Sequence, residues 1–255
     1  MQLSTPTNRN ELQPKCMTPP CYKSYFPKWL VLLLPFCLSS CFELKEELLI
    51  TKAGSGSYKL VIDCSEHKDM LSELIAKSDS LKQNPFGEKG NSLESLASVW
   101  QTGVADFANL KGVRNAKEIT DKQNFIFGFS FDFDDIGALN LALVMKDGGD
   151  YNADFKLPYS YEKGKLTKNN VFVFKKLFKN LIAADKNEPE YIQSQKKAIF
   201  AQIRYKCIIR TLNKIKKSSN NSYELSADKK QVSLSAFLSE VYGGISQSDT
   251  NIKFK

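Results

Sequence analysis

Between Phe125 and Phe133 every second residue is phenylalanine. Successive side chains of a strand point to opposite faces, so Phe125, Phe127, Phe129, Phe131 and Phe133 line one side. Ile126, Gly128, Ser130 and Asp132 line the other. Five aromatic rings on one face must be covered, which makes this a core strand of a sheet with a thick apolar interior. An apolar ligand cavity is the sharper alternative, and a packed core is the reading adopted.

The same alternation opens the region after residue 41. Phe42, Leu44, Leu48 and Ile50 share a face, with Glu46 as its polar exception, while Glu43, Lys45 and Glu47 take the other. The glycines of Ala53-Gly54-Ser55-Gly56 suit a tight turn. A second strand then aligns Tyr58, Leu60, Ile62 and Cys64. Helical spacing follows: Met70, Leu71, Leu74, Ile75 and Leu81 behind a Ser65 cap, then Leu93, Leu96, Val99, Trp100, Val104 and Phe107 behind a Ser92 cap. Gly112–Thr120 reads as a strand. Asp134 is placed as the N-cap of a helix carrying Ile136, Leu139, Leu141, Ala142 and Leu143, ending near Asp147-Gly148-Gly149.

Strands are expected over 152–161 and after Gly164, with a helical turn from Phe174 to Leu181. Pro189 precedes a helix over Glu190–Gln202. Ile203, Tyr205, Cys207 and Ile209 point inward from the next strand, with Arg204, Lys206 and Arg210 outward. Ser218–Asn221 reads as a loop, followed by a hairpin of 223–225 against 232–234, a short helix over 236–242 and a last strand over 252–254. Hairpins interleaved with helices indicate an α+β fold, with a mostly antiparallel sheet and helices packed on one face.

The first 40 residues have a different character. Lys23 and Lys28 precede the apolar run Trp29–Cys37, and Leu38-Ser39-Ser40 leads into Cys41. That order is signal-peptide architecture, with cleavage after Ser40 and lipidation on the sulfur of Cys41. A spanning helix needs roughly 20 apolar residues, and this run is short and interrupted by Pro35. The polar stretch before Met17 makes Met17 an alternative start. The expected organisation is a signal peptide over 1–40 and one lipid-anchored α+β domain over 41–255, in the bacterial cell envelope and at its outer membrane. Palmitate-type acylation would supply a durable membrane anchor on Cys41.

Of six cysteines, Cys16, Cys21 and Cys37 leave with the leader and Cys41 takes the lipid. An exported compartment permits a Cys64–Cys207 disulfide, and two buried free thiols are the competing reading. His67 is the sole histidine and is read as a surface residue; no spacing implies a metal or any other cofactor. Charge is uneven. Residues 41–162 carry 13 basic and 20 acidic side chains, a net of −7, whereas 163–217 carry 15 and 3, a net of +12. The basic segment nominates Arg204, Lys206, Arg210, Lys214, Lys216 and Lys217 as contacts to an anionic envelope partner, either lipid or lipopolysaccharide. A solvated face is the plainer reading of the same charges. An exported chain does not meet nucleic acid.

The start Cys41 to Glu47, the turn Gly54 to Tyr58, the run Phe131-Asp132-Phe133 with Ala138-Leu139-Asn140, and the tail Leu225 to Val232 resemble uncharacterised envelope lipoproteins of Bacteroidota type. The chain departs from that pattern at Leu212-Asn213, where Phe-Pro is expected. The hairpin also resembles, distantly, the LppM-type lipoprotein domain, for which envelope glycolipid binding has been suggested. These resemblances imply a lipid-anchored α+β domain and carry over no catalytic residue. Lys45-Glu46-Glu47 is similar to the tag that sends some such lipoproteins to the cell surface, although its alternation with apolar residues makes it the wet face of a strand.

The function expected is therefore that of a non-enzymatic lipoprotein binding an anionic partner. A scaffold engaging another envelope protein is the alternative. A haloacid-dehalogenase-like phosphatase is a remote one, resting on Asp132-Phe133-Asp134. Against the phosphatase, Ile136 stands where a small hydroxyl residue is expected and the strand alternates instead of being apolar throughout.

Overall fold

A computed structural model describes residues 42–69, 71–73, 76, 104–146, 156–169 and 190–255. The leader with Ser40 and Cys41, the 92–103 part of the helix expected behind the Ser92 cap, residues Met70, Leu74, Ile75 and Leu81, the helix end at 147–149, positions 152–155 and the turn over 174–181 lie outside the described residues.

A seven-stranded sheet forms the larger layer. Its strands are β1 (Phe42–Ile50), β2 (Gly56–Asp63), β3 (Val113–Asp121), β4 (Ile126–Phe133), β7 (Ile203–Thr211), β9 (Glu224–Leu225) and β10 (Gln231–Phe237). Their order is β3-β4-β2-β1-β7-β10-β9. A second sheet orders β5 (Tyr159–Glu162), β6 (Lys165–Lys168), β11 (Thr250–Phe254) and β8 (Ile215–Ser218) as β5-β6-β11-β8. The described helices are α1 (Val104–Ala108), α2 (Ile136–Lys146), α3 (Glu190–Gln202) and α4 (Leu238–Tyr242). The α+β class and the antiparallel character hold, with the strands divided between two sheets. The exception is the centre, where β1 runs parallel to β7 with Phe42 opposite Ile203 and Ile50 opposite Thr211.

The phenylalanine strand behaves as its period dictates. Phe127, Phe129, Phe131 and Phe133 are fully buried, and Phe125 is nearly so. Phe129 and Phe131 stack with centroids 6.3 Å apart, and Tyr58 packs against both. Leu139, Ala142 and Leu143 of α2 and Tyr159, Leu166, Ile215 and Ile252 of the second sheet complete the same core. Gly128 is required by proximity: a Cβ there would lie 2.1 Å from the Leu60 carbonyl oxygen. Gly54 takes φ +88° in the first hairpin turn, a left-handed conformation that glycine adopts without strain.

Three local expectations are corrected. Asp135, not Asp134, caps α2, its Oδ1 accepting the Ala138 N–H at 2.8 Å. Asp134 instead pairs with Arg114 at 2.8 Å. At the end of β2 the carboxylate of Asp63 accepts both the N–H and the hydroxyl of Ser65, so the serine donates and does not cap. Residues 215–218, read partly as loop, form β8, whose single apolar side chain, Ile215, is buried in the core.

Candidate functional site: a lysine row and a buried carboxylate clamp

Glu46 is the polar exception on the inward face of β1, and it is only 2% exposed. Tyr58 from β2 and Tyr159 from β5 donate to its Oε1 at 3.0 and 2.6 Å, and Tyr205 from β7 donates to Oε2. Lys168 of β6 places its Nζ 3.4 Å from Oε2 and is itself 5% exposed. Five strands therefore converge on one carboxylate, three from the larger sheet and two from the smaller.

Burial pushes the Glu46 carboxyl up, but the Lys168 ammonium and the phenol hydroxyls outweigh it and hold the group below the usual carboxylate range. Burial pushes the Lys168 ammonium down, and the Glu46 carboxylate reverses that, leaving it above its ordinary value. Burial and the carboxylate together push the Tyr58 and Tyr159 phenols well up, so both stay protonated as donors. The assembly satisfies a charge that would otherwise be prohibitive in a dry interior. Its chemical work is structural, fastening one sheet to the other in a single register. The same alternation divides Lys45-Glu46-Glu47: Lys45 and Glu47 pair at 2.8 Å on the outer face of β1, while Glu46 is in the core.

The six nominated basic residues separate. Arg204, Lys206 and Arg210 lie on the outer face of β7. Arg204 stacks its guanidinium 5.2 Å from the Phe237 ring. Arg210 donates to Glu47 at 3.2 Å and to Gln231 at 2.9 Å. Lys214, Lys216 and Lys217 belong to the β8 segment of the other sheet. There the register adds partners that a linear reading misses. Lys165 of β6 stands directly opposite Lys253 of β11, and Lys253 directly opposite Lys217 of β8. All three are exposed and on the face away from the core, since Leu166, Lys168 and Ile252 take the inward positions.

Like charges directly opposite each other on neighbouring strands destabilise a sheet. Three in a row, with no ion pair to a described residue, are a cost that an anionic ligand would relieve. Lys214, Lys255 and Lys163 border the row: the Lys255 N–H donates to the Lys214 carbonyl, and Lys163 sits in the β5–β6 turn. Thr167 and Asn251, hydrogen-bonded to each other at 2.8 Å, extend the same face with polar groups.

Cys64 and Cys207 are free and buried, so the disulfide does not form. β1 lies between their strands, which separates them by about two strand spacings, near 10 Å. They are also out of step, because Cys207 stands opposite Glu46 while Cys64 follows Asp63, the partner of Glu43. A bridge requires Cα atoms within about 7 Å. Burial and then the neighbouring Glu46 carboxylate push the Cys207 thiol up to about 12, the state of an inert core residue.

Asp132 and Asp134 take different partners. Asp132 accepts the Asn115 amide at 2.7 Å on the outer face of β4, where both line a groove of about 720 Å³ together with Ser57 and Ser130, while Asp134 is held by Arg114. β4 is antiparallel to both its neighbours, unlike the buried parallel strand that a haloacid-dehalogenase site uses. His67 lies half-buried in a 3-10 turn at Ser65–His67, with Nε2 enclosed. Among the described residues no group of three His, Cys, Asp or Glu gathers to hold a metal, and no helix is long and apolar enough to cross a membrane.

No protein-family model matches the chain, and no curated protein matches its sequence. Among solved structures, the folded domain of the LppM protein of Mycobacterium tuberculosis, determined by NMR, aligns with a TM-score of 0.38 and 6% sequence identity. The alignment covers 85% of this chain and 91% of that one.

Proposed function

We propose that this protein is a lipid-anchored, non-enzymatic domain of the bacterial cell envelope that binds an anionic partner through the outer face of its smaller sheet. The observation that carries the binding reading is the row Lys165–Lys253–Lys217, three like charges held side by side by strand register. The anchor reading is carried by the leader and Cys41. The first described strand begins at the next residue, Phe42, so the fold would start directly at the lipid.

Charge reversal tests the binding. The triple variant Lys165→Glu, Lys217→Glu, Lys253→Glu is expected to lose about tenfold or more in affinity for anionic ligands at low salt. Arg204→Glu with Lys206→Glu is expected to change little, because those side chains lie on the other sheet. Co-sedimentation with lipopolysaccharide and retention on immobilised alginate, each at low and high salt, supply the readings. Binding that ignores both salt and the lysine variant refutes the proposal. Phosphatase activity that disappears in Asp132→Asn would refute the non-enzymatic part.

A further inference from the structure

The two ends of the domain differ, and strand direction fixes which end carries which chemistry. β1 starts at Phe42, opposite Ile203; the next residue, Glu43, stands opposite Arg204, which stands opposite Phe237. Phe237, Tyr242 and Ile245 are exposed at this end, Ile245 by 81%, whereas the large apolar side chains exposed at the far end of β1 and β7, Leu49 and Leu212, are aliphatic. The Tyr242 ring meets Phe200 edge-on at 5.8 Å. Charges here are mixed: Glu43, Asp63, Glu66 and Glu240 accompany Arg204, Lys206 and Lys68.

The lysine row lies at the other end. Lys168 meets Glu46, the fifth residue of β1. From there β6 runs three residues back to Lys165, alongside Tyr161, whose hydroxyl donates to the Lys52 carbonyl beyond the far end of β1. Seven residues of strand place the row roughly 20 Å from Phe42. Lys214 and Lys255 lie at the same far end, and so do Lys229 and Lys230, whose carbonyls accept from Ile215 and Thr211.

We infer that the domain is polarised, with its aromatic rim resting on the anchoring bilayer and its lysine row directed away from it. The anionic partner is then a water-borne acidic polymer, and not the headgroups of the membrane that holds the anchor. This rests on the lipid-anchor and anion-binding reading given above. A surface potential fades within a Debye length of about 8 Å at physiological salt, so headgroups beneath the rim do not reach lysines at twice that distance. Aromatic and aliphatic side chains beside a lipidated residue suit the interfacial layer, where ring and polar tip are both accommodated. Among the described residues the rim carries no net basic charge, which fits contact by apolar insertion.

The test uses the full chain produced with its leader and checked for acylation by palmitate labelling. The chain is reconstituted in phosphatidylcholine vesicles with or without phosphatidylglycerol, and also held in detergent. Soluble alginate is the probe. Vesicle-borne protein is expected to capture alginate as well as the detergent-held protein does, with loss of about tenfold or more in the triple lysine variant. The same variant is expected to bind vesicles unchanged. In parallel, a tryptophan at Phe237 (Phe237→Trp) is expected to be quenched by brominated lipid, whereas one at Lys255 (Lys255→Trp) is not.

Alginate capture in detergent but not on vesicles would overturn the polarity and leave the binding reading standing. So would quenching of Lys255→Trp alone, or lysine-dependent binding confined to phosphatidylglycerol vesicles. No alginate capture in either setting would refute the binding reading and the inference together. Failure of palmitate labelling would refute the anchor, and the Phe237→Trp signal on added vesicles would then decide the rim by itself.

Discussion

Lys168→Met is expected to destabilise the fold by about 3–5 kcal/mol, the usual penalty for leaving a buried charge without its partner. The variant keeps the Glu46 carboxylate and its phenol donors but removes the ammonium 3.4 Å away. Adding Glu46→Gln to Lys168→Met is expected to restore part of the loss, because the amide oxygen still accepts from Tyr58 and Tyr159, the Tyr205 hydroxyl accepts from the amide nitrogen, and the group no longer requires a counter-charge. Lys163→Met, at an ion pair whose lysine is 89% exposed, is expected to change stability by less than about 0.5 kcal/mol. Urea unfolding of the three variants at constant m-value separates these outcomes. Equal effects of Lys168→Met and Lys163→Met would sink the account of the clamp.

The same group sets an acid limit. The folded-state pKa of Glu46 is depressed below its ordinary value of 4.5, so its contribution is present above that pH and is lost as pH falls through the folded value. Lys168 is raised above 10.5, so its contribution is present below that pH and is lost as pH rises through the folded value. Acid unfolding of Glu46→Gln is therefore expected to be shallower than that of the parent below about pH 4.5, with unfolding free energy measured as a function of pH as the check.

Phe129→Ala is expected to cost about 3–5 kcal/mol. Its ring is fully buried between Phe131 and Tyr58. Removing it leaves a cavity beneath the larger sheet that rigid strands cannot close. Ser130→Ala, the next residue on the opposite face, is expected to stay within about 0.5 kcal/mol. Comparable losses at both positions would mean that the alternation does not decide what is buried.

That alternation made much of the larger sheet legible in advance. The strand at 126–133, the first hairpin and the helix at Glu190–Gln202 follow from period 2, from Gly54 and from Pro189. Glu46 also stood out, as a carboxylate where an apolar residue belonged. Its partners did not. Tyr58 and Tyr205 were legible as inward residues of their own strands, but Tyr159 and Lys168 come from short strands more than 100 positions downstream, and nothing local marks them as facing a charge. β8 was obscured because one isoleucine among lysines carries no periodicity. The linear charge count found the basic segment at 163–217, yet the row needs Lys253, which lies beyond it. Only strand register puts it between Lys165 and Lys217.

The parallel pairing of β1 with β7 has a kinetic consequence. Each of its nine ladder positions joins residues about 160 apart in the chain, from Phe42–Ile203 to Ile50–Thr211. Contacts of such sequence separation form late, since loop-closure entropy is spent before they contribute. A chain emerging N-terminus first cannot complete its central sheet until Ile203–Thr211 is free, so the opening hairpin must wait half-covered. On the lipid-anchored envelope reading proposed above, that delay would keep the chain pliable until its passage through an export channel is nearly finished.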